Sequence, residues 1–164
     1  VETAREWQRT AFDSVPDQLR YHRVLKLAER FEPMAQHAQQ LIPLLLSKQQ
    51  GREAIEVWTS CYKRVTGFQL KSPETALQLA QHAWKSMQPR VTLLLLQGFE
   101  KQHGAHELIP QAQELIVRAL KQGENRADQA LKVFMRMQAR YPNHACTQEA
   151  AWILRDELQP KSAT

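Results

Sequence analysis

The chain has 164 residues, a net charge of +5, five glycines and a preponderance of Ala, Leu, Gln, Glu, Arg and Lys. That is enough length for one core or a short repeat array, built from strong helix formers. No run of eighteen apolar residues occurs, so no membrane-spanning helix is expected, and no signal peptide is visible.

Cys61 and Cys146 are too few and too far apart for a disulfide framework. Free thiols favour a reducing, cytoplasmic compartment, with a periplasmic or membrane-tethered soluble domain left open. The chain opens on Val1 rather than Met, so the expectation is a segment of a larger bacterial-type or multidomain protein. An upstream membrane anchor in that parent chain is compatible with this.

Apolar residues recur at helical spacing almost throughout. An amphipathic segment over 1–16 places Trp7, Ala11 and Phe12 on one side. A helical domain over 17–158 and a flexible tail over 159–164 follow. Within the domain, helices are predicted at about 17–31, 33–49, 51–65, 73–87, 90–103, 107–122, 125–141 and 146–158. Pro43, inside "LIPLLL", either kinks the second helix or starts a new one after a break. Gly51 and Gly123 can take the left-handed conformation that closes a helix C-terminus. Pro73, Pro89 and Pro110 suit a first helical turn, and Ser72 reads as an N-cap with Glu74 in an acidic first turn. Pro142 pushes Tyr141 out of the α region and so ends the helix before it.

An internal repeat runs through these helices. Ala38, Ala76, Ala112 and Ala150 are spaced 38, 36 and 38 residues apart. Four residues after each stands Ile42, Ala80, Ile116 or Leu154. The intervening helices echo the pattern with Ala54 before Trp58 and Ala130 before Phe134. Small residues let paired helices approach closely, and the residue one turn on fills the gap. Such hairpins cannot bury their apolar faces alone, so they stack.

The segment "ADQALKVFMRMQARYP" resembles the second helix of a tetratricopeptide repeat (TPR) through Ala130, Phe134, Met137 and Pro142. "PQAQELIVRALKQG" resembles the first helix through Ala112, Leu115, Ile116 and Ala119, and "SPETALQLAQHAW" is similar through Ala76, Ala80 and Ala83. The resemblance covers about 33–158 in four degenerate units. Most of the family's Trp and Gly positions are missing, and the turn from Gly123 to Ala130 is two residues too long. It implies an all-α, right-handed superhelical stack of antiparallel helix pairs. It also implies a non-enzymatic scaffold that binds another protein or a peptide segment on its concave face.

On that implied face the alanine register places Gln39, Leu46, Leu77, Gln81, Trp84, Gln113, Val117 and Leu120, with Lys121 at the edge. Trp84 is the expected anchor, whereas Trp58 is expected in the core. The paired Asn and Lys with which related repeats clamp an acidic C-terminus are absent, since the only asparagines, Asn125 and Asn143, fall in turns. The alternative function is a basic module for nucleic acid or an anionic membrane surface, carried by Lys132, Arg136 and Arg140, with a second stripe at Arg20, Arg23, Lys26 and Arg30. Scattered positive charge argues against nucleic acid. Six histidines form no zinc-type pairs, so no metal is expected, and no cofactor-binding loop exists. Cys61, one turn beyond Trp58 on the apolar stripe, reads as buried and inert, and no acid–base pair suggests catalysis.

Overall fold

The computed structural model describes residues 14–159. The segment bearing Trp7, Ala11 and Phe12, and the tail beyond Gln159, lie outside those residues. The described residues are helical, with no strand among them, and fall into two compact units, one ending at Lys71 and one beginning at Ser72. No described helix is long and apolar enough to cross a membrane.

The first unit holds α1 (Val15–Leu27), α2 (Phe31–Ser47) and α3 (Gly51–Arg64). Ser14 caps α1 by accepting from the Asp17 N–H. Helix α2 runs through Pro43 without ending. A mid-helix proline costs about 3 kcal/mol. Leu41, Ile42 and Leu45, all essentially inaccessible on either side of it, supply the packing that offsets this. On α3, Ala54, Trp58 and Cys61 face inward, and the Trp58 ring stacks on Tyr62 at 4.8 Å between centroids.

The second unit holds α4 (Pro73–Lys85), α5 (Pro89–Leu96), α6 (Phe99–His103) and α7 (Ile109–Arg118). After these come a π-turn (Ala119–Gly123), α8 (Ala127–Arg140), α9 (Ala145–Ile153) and α10 (Arg155–Leu158). Ser72 caps α4 at Thr75 as expected, and Pro73 and Pro89 occupy first turns. The helix predicted at 90–103 is two, because Gly98 takes φ 72° after an extended Gln97. The final predicted helix also breaks, at Leu154.

The alanine register is the register of the core. Ala38, Ala54, Ala76, Ala80, Ala83, Ala112, Ala130 and Ala150 are all buried, as are Ile42, Trp58, Phe134 and Leu154 one turn after four of them. Val117, Leu120, Ala130, Val133, Phe134, Met137, Ala150, Ile153 and Leu154 form one continuous cluster in the second unit.

Gly51 and Gly123 do not close their helices in the left-handed conformation, as Gly104 does at the end of α6. Gly51 opens α3, and the left-handed residue is Gln49 two positions earlier. Three turns share one hydrogen-bond pattern, in which the residue after the left-handed one donates back five positions. Arg30 donates to Leu25, Gln50 to Leu45 and Gln88 to Ala83, at 2.8–2.9 Å. The left-handed residues themselves, Glu29, Gln49 and Met87, donate to Lys26, Leu46 and Trp84. This double bond is the Schellman closure, built here without glycine. Gln49, Met87 and Asn125 lie 38 residues apart and mark the same turn in successive hairpins.

Gly123 serves close approach instead. A Cβ there would lie 2.3 Å from Pro89 Cβ and 3.2 Å from Trp84 Cζ3. The two surplus residues that lengthen this repeat are absorbed just before the turn, where the chain widens into the π-turn and the Arg126 N–H reaches back to Leu120 O at 2.7 Å.

Candidate functional site

The second unit contains a cavity of about 570 Å³. Its walls come from three places: Leu96 to Gly104 across the end of α5 and α6, the Ile109–Ile116 face of α7, and one face of α8. Residues four apart on a helix share a face. Ile109, Ala112, Gln113 and Ile116 therefore line it together from α7, as do Val133, Arg136 and Arg140 from α8. The break at Gly98 turns the chain into α6, whose Phe99, Glu100 and Lys101 line the cavity.

The polar groups of this cavity are ordered by Glu100. Its carboxylate pairs with the Arg140 guanidinium through Oε1 and accepts from Gln113 Nε2 at 3.1 Å through Oε2. A carboxylate only accepts, so the Gln113 amide nitrogen is held toward it. Gln113 Oε1 is left buried with no hydrogen-bond partner among the described residues. An unsatisfied buried acceptor costs about 1–3 kcal/mol, and this one is closed to solvent. Lys101, Arg136 and Arg140 bring three cations to the lining against the single anion Glu100. Arg136 is exposed and has no ion pair among the described residues.

The residues expected on a concave face are dispersed. Gln113 lines the cavity, but Leu77, Val117 and Leu120 are buried at 4%, 0% and 6% exposure. They are core, because α4 and α7 are packed on more than the alanine side. Gln39 is half-buried, and both ends of its amide are used: Nε2 donates to Gln69 O at 2.8 Å and Oε1 accepts from Lys71 N at 3.0 Å. Leu46 is half-buried and Gln81 exposed. Lys121 is tied to Glu157. Trp84 is half-buried over Gly123, so it is neither core nor a free surface ring. Among the described residues the exposed tryptophan is Trp152, at 63%, with Arg155 over its ring at 4.4 Å. The signal for the cavity was present in "LLLLQGFE", where Gly98 interrupts a helical pattern.

The basic stripe is not uniform. Arg140 is committed to Glu100, which leaves Lys132 and Arg136 exposed and unpaired among the described residues. Of the histidines, His106 sits 3.5 Å from Glu74 and also accepts from the Leu108 N–H. No group of three His, Cys, Asp or Glu that could hold a metal occurs among the described residues. Cys61 is fully buried, and burial pushes its thiol up to about 12, so no thiolate nucleophile forms there. Cys146 is also a free thiol with its pKa raised by burial.

No family model matches the sequence, and no curated protein matches it. Among solved structures, the chain is similar to YrrB, described as a TPR protein with an unusual peptide-binding site. The TM-score is 0.55 at 15% identity, over 95% of this chain and 82% of that one. At that identity the likeness establishes architecture, and with the paired helices and the alanine register it gives this chain a TPR-like helical-repeat fold.

Proposed function

We propose that the chain is a non-enzymatic interaction scaffold that holds a segment of another polypeptide in the cavity between α6, α7 and α8. The observation that carries this reading is the cavity lining, in which Phe99, Ile109, Ile116 and Val133 stand beside Gln113, whose amide is held by Glu100, and the exposed Arg136. Apolar walls with a few fixed polar groups are how proteins bind an extended partner with both affinity and direction. The neighbouring fold in YrrB, a protein with a peptide-binding site, supports the same class of ligand. Both described cysteines are free thiols, which suits a reducing compartment. The stripe at Lys132, Arg136 and Arg140 gives the nucleic-acid alternative less support, since one of its three cations is already neutralised.

Selection of random displayed peptides on the purified chain tests the reading. Binders are expected, competing with one another for one site, with amide chemical-shift changes centred on Phe99, Gln113, Ile116 and Arg136. A selection that returns no peptide, or shift changes confined to other surfaces, overturns it.

A further inference from the structure

We infer that two copies of this chain associate through the outer face of α9 and α10, about a two-fold axis that passes Trp152. The internal repeat sets Trp152 apart. Two residues after each register alanine stand Gln40, Gln78, Glu114 and Trp152. Gln40 and Gln78 are exposed and Glu114 is tied to Arg118, so the position is polar until the last repeat. There it becomes a tryptophan left 63% exposed. Folding gains nothing from an aromatic ring in water, whereas exposed Trp and Arg side chains are the usual anchors of protein contacts. Trp152 lines no part of the cavity between α6, α7 and α8, so this surface is separate from that site.

The charges around Trp152 indicate what covers it. Residues three or four apart on a helix share a face, which puts Gln148, Glu149, Arg155 and Asp156 beside the ring. All four are exposed. Arg155 lies over the ring at 4.4 Å, so the break at Leu154 does not take it off this face. Glu149 stands three residues before Trp152 and Arg155 three after. When two such helices cross antiparallel about a two-fold axis at Trp152, Glu149 of one protomer meets the partner's Arg155, and symmetry forms the pair twice. Gln148 meets the partner's Asp156 in the same way, as an amide donor to a carboxylate. The two tryptophan rings pack on each other at the centre. A face with both signs in this order is complementary to itself. Nucleic acid or an anionic bilayer would instead meet Glu149 and Asp156 as like charges. Glu149 gives Oε1 to Arg118 at 3.2 Å, yet its side chain is half exposed and open to a second guanidinium. The stripe spans little more than two helical turns, so the contact is small and the dimer weak, with a Kd on the order of 10–100 µM.

Sedimentation equilibrium of the whole chain from about 1 to about 500 µM should show a reversible monomer–dimer equilibrium. Trp152→Ala should weaken it by about tenfold or more. Glu149→Arg and Arg155→Glu should each weaken it by about as much, because each sets like charges across the axis at both pairs. An equimolar mixture of those two variants has opposite charges at both pairs again. It should form a heterodimer within about threefold of the parent's affinity. Circular dichroism of each variant alone checks that the helices are intact, and if a charge variant unfolds, the parent and Trp152→Ala still decide. A parent chain that stays monomeric at the highest concentration overturns the inference, as does a dimer that Trp152→Ala leaves unchanged. A mixture that associates no more tightly than its separate components also overturns it, because Glu149 and Arg155 would then not face each other.

Discussion

Trp58 and Trp84 show how little a residue's own identity says about its place. Trp58 is 3% exposed and stacked on Tyr62, so Trp58→Ala should cost about 3–5 kcal/mol, the range for truncating a core aromatic. Trp84 shares its weight between solvent and Gly123, and Trp84→Ala should fall below that range. Urea denaturation of both variants beside the parent checks the order, and equal losses would place both rings in the core. His22 adds a pH dependence. It is 4% exposed with neither ring nitrogen partnered among the described residues, and burial lowers its pKa from 6.5 to about 4, with His37 and Lys26 adding repulsion. A folded pKa below the unfolded one means that protonation favours unfolding. Stability from His22 is therefore complete above about pH 6.5 and is lost as the pH falls toward 4. His22→Phe should flatten the stability profile across that window, and an unchanged slope would assign the acid sensitivity to His37 or other groups.

At the scale of elements, the turns depart most from what the sequence announces. The three Schellman closures place Glu29, Gln49 and Met87 where glycine is strongly preferred. A non-glycine residue in that region carries roughly 1–2 kcal/mol of strain, and glycine loses roughly 0.5–1 kcal/mol in unfolded-state entropy. Met87→Gly, at a site 86% exposed, should therefore stabilise by a few tenths to about 1 kcal/mol in thermal denaturation. A loss would mean that the Met87 side chain contributes packing after all. Gly123→Ala should go the other way, by about 1–3 kcal/mol, because the new methyl meets the rigid Pro89 ring at 2.3 Å. The helices and their caps were legible, since Ser72, Pro73 and the alanine spacing act within one turn of chain. The turn closures were not, because Gln49 and Met87 are held left-handed by the helices on either side rather than by their own preference.

Across the whole chain, the period is what the sequence carries best. The alanines give 38, 36 and 38, and the left-handed residues at 49, 87 and 125 stay 38 apart because the π-turn after Ala112 makes up the two residues missing before it. The binding surface was far less legible. Leu77, Val117 and Leu120 could be assigned an outer face only by assuming that one side of each helix is packed; all three are buried, Val117 and Leu120 in a cluster that reaches as far along the chain as Leu154. Arg136 and Gln113 were each singled out, but as members of different surfaces. Only the turn at Gly98 brings α6 to a place where they line one cavity. All of that cavity's walls lie within 72–164, as does the contact of Trp84 with Gly123. A fragment of those residues should thus keep its helical circular dichroism and bind selected peptides within about threefold of the full chain, a difference of well under 1 kcal/mol. A fragment that folds but does not bind would show that the first 71 residues contribute to capture.

The hydrogen bond from Gln113 to Glu100 also sets the way round in which a buried amide sits. A glutamine amide is a reversible plug, with a donor at one end and an acceptor at the other, and here a carboxylate on a neighbouring helix fixes which way round it sits. Replacing Glu100 with glutamine removes that constraint and lets the amide turn over at little cost. The buried amide could then sit either way round behind the apolar walls, and Arg140 would lose its carboxylate partner at the same stroke.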